Sequence, residues 1–289
     1  MALLWIVTIG WAFSFSLIGV YLSGQVDDYL SVLIRTGLAS LLFLPLMVRH
    51  WPGLTQALRL MGIGVLQIGL MYVFLFRAFN YLTVPELLLF TTLTPLYVTL
   101  VDDWVIGRRR LSSRWWFAAV MAVIAAGVMR WGEISSDAWF GFLLIQAANL
   151  CFASGQVLYK HLPIRNGINQ VRDFGFFFIG GFVVAGLASL VFGDWSMGPK
   201  TMMQWSILLW LGLGASGLGY LAWNLGARSV NTGQLAVMNN MLIPLGILVN
   251  AVIWNRDADW SRLAIGGLLL VVAVLLASQN QSKDEVALS

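Results

Sequence analysis

An arginine set inside apolar sequence is the first residue here that could do chemistry. Arg35 lies within the apolar run 29–48, two turns from one end, with no acidic neighbour in that run. A cation in hydrocarbon is expensive and wants an anion, and a guanidinium suits a carboxylate. Arg77 and Glu86 flank the turn between the next two runs, and with Arg35 they could form one charged cluster facing a vestibule. For Arg77, snorkelling of a long side chain to the interface explains the position equally well. Thr83-Val84-Pro85-Glu86 reads as a capping box, with Thr83 as N-cap and Glu86 at N3, a role compatible with a functional one. A buried Glu86 could also carry a coupling proton.

Amides and rings complete a set suited to binding. Asn149, Asn224, Asn239 and Asn240 lie in apolar runs, and Asn239-Asn240 is the densest amide pair. Adjacent helical residues point about 100° apart, so one of that pair can face a cavity while the other bonds a neighbouring helix. Such amides also serve as interhelical glue, worth about 0.6 kcal/mol on average. Tyr72, Tyr97 and Trp223, with Trp11 and Tyr220, offer aromatic faces. Bond-making chemistry has weaker support. Gly214-Ala215-Ser216-Gly217 matches G-x-S-G, but a serine nucleophile needs a base in reach, and neither His50 nor His161 lies inside an apolar run. No enzyme is expected. With one cysteine, Cys151, and no Cys/His cluster, no metal or cofactor is expected either.

The elements that must position these residues are membrane spans. Of 289 residues, 59% are hydrophobic and only 10% charged, with a mean hydropathy of +0.81, where soluble domains carry about 25% charged residues. Ten runs approach the roughly 20 residues needed to cross hydrocarbon: 2–21, 29–48, 57–78, 83–101, 115–131, 138–159, 173–193, 203–225, 233–254 and 262–278. The fifth and tenth hold no charged or amide side chain over Phe117–Met129 and Leu263–Ala277, so they can face lipid or a second copy in a homodimer. The others carry the polar load and are expected to surround a cavity. Basic residues favour the side holding Arg49, Arg59 and Arg108–Arg110, which predicts both termini in the cytoplasm. Asp102 and Asp103 are expected to pair with that arginine run. Spread over loops, the basic residues form no nucleic-acid face.

The runs also repeat. Gly69-Leu70-Met71-Tyr72 returns as Gly217-Leu218-Gly219-Tyr220, and Ala78, Thr83 and Pro95 return as Ala227, Thr232 and Pro244. Five spans per copy force opposite orientations. The expected fold is therefore an all-α membrane protein of ten transmembrane helices in two inverted five-helix repeats, 1–132 and 138–279, with a polar cytoplasmic tail at 280–289. Inverted repeats typify secondary transporters, whose substrate sits between the halves near the midplane. Pro95 frees the carbonyl of Thr91 and Pro244 that of Asn240. Broken backbone at that depth survives where protein or a cavity satisfies it.

This doubled unit resembles the EamA-type carriers of the drug/metabolite transporter superfamily over the whole chain. The resemblance implies that helices 1–4 and 6–9 enclose the cavity. Three blocks are similar to the superfamily's bacterial inner-membrane biotin carriers. They are Trp11–Ser16, the runs Phe76–Val84, Glu86–Thr91 and Leu93–Tyr97, and the set Ala215-Ser216-Gly217, Gly219-Tyr220, Trp223-Asn224 and Met238–Met241. That likeness implies uptake of biotin, or a similar small carboxylate, by alternating access across the bacterial inner membrane. Arg35 or Arg77 would meet the carboxylate, amides the ureido group, and aromatic rings the bicycle. Export of amino acids or related metabolites, and a non-transporting membrane scaffold, are the alternatives.

Overall fold

The computed structural model describes residues 2–108, 136–163, 168–230 and 232–254, with isolated positions at 117–124 and 261–272. The described residues form helices and turns, with no strand among them. Seven helices are long and apolar enough to cross a membrane: α1 Ala2–Leu22, α2 Asp28–Arg49, α3 Leu54–Ala78, α4 Val84–Ile106, α5 Trp139–His161, α6 Ile168–Phe192 and α7 Met202–Arg228. An eighth, α8, spans Thr232–Trp254. The expected fifth and tenth spans and the 280–289 tail lie outside the described residues, apart from those isolated positions.

The helix ends follow local chemistry. Asp27 caps α2 by accepting from the Leu30 N–H at 2.9 Å, and Asp28 and Arg49 stand at the dipole ends that favour them. Glu86 Oε2 accepts from Thr83 N and Thr83 Oγ1, both at 2.8 Å, so α4 opens on the expected cap. Thr201 and Gln204 cap α7 in the same way. In the loop before it, the Ser196 hydroxyl and N–H both bond Asp194, which holds that exposed carboxyl below the usual range.

Inside the helices the backbone winds into π turns at four described segments: at the ends of α1 and α4, and within α3 and α7 at places that match. α3 winds into a π turn at Val65–Leu70 and α7 at Trp210–Leu218. These segments contain the repeated Gly-Leu motif. π turns loosen the ladder and are frequent at functional sites. The two prolines behave differently from each other. Before Pro95 the chain tightens into a 3₁₀ turn at Thr91–Leu93. Thr94 Oγ1 then donates to the freed Thr91 carbonyl at 2.7 Å. Around Pro244, α8 runs on as one helix.

α6 packs most extensively against α3 and α2. α3 crosses α6 through Gly64 and Gly180, where a β-carbon would collide with the carbonyls of Phe177 and Met61. Such small-residue contacts are how helices associate where no hydrophobic drive exists. At the helix ends, His50 pairs with Asp173 at 3.2 Å and His161 with Asp102 at 2.7 Å. Asp102 thus meets a histidine from α5. Arg109 and Arg110 lie outside the described residues.

Candidate functional site

α1, α2, α3, α4, α5, α7 and α8 surround a cavity holding about 760 Å³ of atom-free space, part of it open to solvent. Six aromatic rings stand in its wall among aliphatic and polar side chains. Trp11 of α1 lies 5.0 Å from both Tyr220 and Trp223 of α7, centroid to centroid, and 6.1 Å from Phe152 of α5. Tyr72 closes the group, edge-on to Tyr220 at 6.0 Å. The buried indoles have partners: Trp11 Nε1 donates to the Ala215 carbonyl at 2.8 Å, and Trp223 Nε1 to Gln156 Oε1 at 3.0 Å. These bonds fix the rings and leave their faces toward the cavity.

Arg35 is the one charged residue among those lining the cavity, and it is 3% exposed. Its Cζ lies 4.0 Å from the centroid of the Tyr72 ring and 6.0 Å from that of Phe76. Its Nε donates to Ser216 Oγ, whose hydroxyl also bonds Tyr72 OH at 2.9 Å. A desolvated cation–π contact is worth about 2 kcal/mol, and a hydrogen bond to a charged group about 1.5–3 kcal/mol. Neither neutralises the charge. No carboxylate among the described residues pairs with Arg35, and its Nη donors have no described partner. The cavity thus has one cationic group, set among aromatic, aliphatic and neutral polar side chains.

Polar groups from three other helices complete it. Thr91 and Thr94 of α4, Asn149 of α5 and Asn239 of α8 all face the space. Asn149 is largely occupied: its Nδ2 donates to the Phe90 carbonyl at 2.9 Å and to Gln146 Oε1 at 3.2 Å, and its Oδ1 accepts from Thr94 at 3.4 Å. It splices the 3₁₀ break in α4 to α5. Asn239 Nδ2 is buried and has no partner among the described residues, an expensive state for an amide unless a ligand or water takes it up.

Of the residues expected from sequence, Arg35, Tyr72, Asn149, Trp223 and Asn239 come together around this cavity. Five others are placed away from its lining. Arg77 pairs with Asp28 at 3.4 Å at the ends of α3 and α2. Glu86 sits in its cap. Tyr97 donates to Gln146 Oε1 at 3.2 Å. Asn224, fully buried, donates to the Tyr220 carbonyl at 3.0 Å and accepts from Gln67 at 3.5 Å, which is helix glue. Asn240 turns from the cavity, as the 100° step from Asn239 requires.

The amino-terminal part, residues 1–131, matches the EamA-like transporter family. Over 278 residues the chain is 48% identical to a protein of Salmonella typhimurium named "Biotin transporter", covering 96% of this chain and 91% of that one. The chain belongs to the EamA-like transporter family. The Escherichia coli K12 "Biotin transporter" is 46% identical over 95% of this chain and 91% of its own length. A "Probable biotin transporter" of Pseudomonas aeruginosa is 48% identical, with 95% and 96% covered. A solved crystal structure superposes with a TM-score of 0.63 over 93% of this chain and 96% of that one, at 19% identity, which speaks for the fold alone.

Among the residues of this EamA-like transporter not singled out as site residues by the sequence are Phe152 and Thr94 of the cavity lining and Ser216 beside Arg35. Phe152 is legible in principle, since Ile145, Ala148, Asn149 and Phe152 share one face at helical spacing. Thr94 sits beside Pro95 and serves the carbonyl that the proline frees. Ser216 stands out in the sequence only as a weak catalytic signal. Its hydroxyl in fact meets an arginine 181 residues away, with no histidine or carboxylate among its described partners.

Proposed function

We propose that this protein carries biotin into the cell across the bacterial inner membrane by alternating access. The observation that carries the reading is Arg35, a buried cation with open donors at the edge of an aromatic cavity. Biotin joins a carboxylate tail to an apolar bicycle with a ureido group. In this reading the Arg35 guanidinium takes the carboxylate. Trp11, Tyr220 and Trp223 pack on the bicycle, and Asn239, with Thr91 and Thr94 nearby, meets the ureido donors and acceptors. The relatives named as biotin transporters support the same substrate.

The architecture that goes with this activity is ten helices in two inverted repeats, both termini cytoplasmic. The matching π turns of α3 and α7 support the doubling. The fifth and tenth spans then lie at the periphery, against lipid or a second copy. Uptake of labelled biotin at nanomolar concentration, by cells lacking their own carrier, tests substrate and direction together. Saturable uptake competed by unlabelled biotin is the expected result. Flux only outward would make the protein an exporter, and no flux in liposomes would leave it a scaffold.

A further inference from the structure

A guanidinium offers a carboxylate two edges, one through Nε and one through the Nη pair, and a free arginine uses either. Here the choice is already made. Nε is committed to Ser216 Oγ, from the π turn of α7, while Tyr72 of α3 lies beneath the charge and bonds the same hydroxyl. Ser216 is fully buried and Tyr72 2% exposed. Next to Ser216, the Ala215 carbonyl is held by Trp11 of α1. The π turn is thus gripped at two consecutive residues by the cavity's cation and by one of its rings.

We propose that Ser216, backed by Tyr72, is the positioning residue that aims Arg35, so that the substrate carboxylate is taken end-on by the Nη pair. This rests on the reading of the cavity as a biotin site. Ser216 touches no substrate atom in this arrangement; it acts through Arg35. Because Ser216 belongs to α7 and Arg35 to α2, it also ties the anion-binding group to a helix of the second half of the chain. A Ser216 that only fills space would matter equally to charged and neutral ligands. A Ser216 that aims the guanidinium matters to the anion alone.

The test is binding of biotin and of its neutral amide to the purified full-length protein, wild type and variants. Wild type is expected to prefer biotin. Ser216→Ala is expected to lose about tenfold in biotin affinity, the weight of one charge-assisted hydrogen bond, with amide affinity changed less than about twofold. Ser216→Thr, which keeps the hydroxyl, restores the preference. Tyr72→Phe, which keeps the ring and loses the shared bond, shifts it in the same direction by less. Equal loss for both ligands, or no loss for either, overturns the positioning role. Should Ser216→Ala not fold, the Tyr72→Phe ratio of biotin to amide affinity decides alone. Wild-type protein that binds neither ligand would instead remove the substrate reading, and the inference with it.

Discussion

Two arginines, Arg35 and Arg77, sit on neighbouring helices and are put to opposite uses. At the ends of α2 and α3, Arg77 is about a third exposed and finds Asp28 at 3.4 Å, while Asn80 Nδ2 reaches the same carboxylate at 2.7 Å. Ser23 ties Asn80 back to α1 at 3.3 Å. That region is closed within itself: each charge is answered by a local group, and the ends of three helices are joined. Seven residues along α2 from Asp28, Arg35 is buried, rests on a ring and a hydroxyl, and its Nη donors have no partner among the described residues. A paired charge holds structure together, and an unpaired one held by neutral groups is a place for a ligand. The desolvation cost of Arg35 is offset by packing elsewhere, a pattern that fits binding better than stability.

The largest effect that would sharpen this contrast is at Arg35. Arg35→Ala is expected to weaken biotin binding at least about 100-fold, the usual loss when one member of a buried charge pair is removed, while the neutral amide binds much as before. Equal retention of both ligands would erase the distinction. Asn239→Ala comes next, with an expected loss of about fivefold for biotin in equilibrium binding. Desthio analogues that keep the ureido group should suffer the same ratio. Arg77→Gln is expected to leave the preference for biotin over its amide intact, and to lower the melting temperature of the purified protein by about 2 °C, since half-exposed ion pairs contribute about 1 kcal/mol or less. A changed ligand preference in that variant would break the comparison from the other side. The smallest effect is expected at Glu86→Gln. Glutamine at N3 still accepts from the Thr83 N–H, so uptake and its pH profile should match wild type. A flattened pH profile would return Glu86 to the transport cycle as a proton carrier.

Much of the frame is legible in the order of residues. Apolar runs at 29–48, 83–101 and 233–254 appear as Asp28–Arg49, Val84–Ile106 and Thr232–Trp254, because span length is set by hydrocarbon thickness and the ends by capping chemistry. Arg35 stands out for the same reason, as a charge that water could not reach. The choice among the asparagines is not legible. Asn149, Asn224, Asn239 and Asn240 look alike in sequence, yet one splices a broken helix, one bonds its own helix backbone, one lines the cavity and one turns away from it. Helix rotation decides among them, and rotation is set by packing against neighbours.

The sequence alone determined that this chain crosses a membrane many times and that one arginine lies inside an apolar run. Those properties follow from local composition and from the cost of burying charge, which no tertiary arrangement can remove. The tertiary structure decided which ring lies under that arginine, which hydroxyl 181 residues away takes its Nε, and which amide is left open. These depend on contacts between helices far apart in the chain, where a rotation of a few tens of degrees exchanges a ligand-facing side chain for a buried strut.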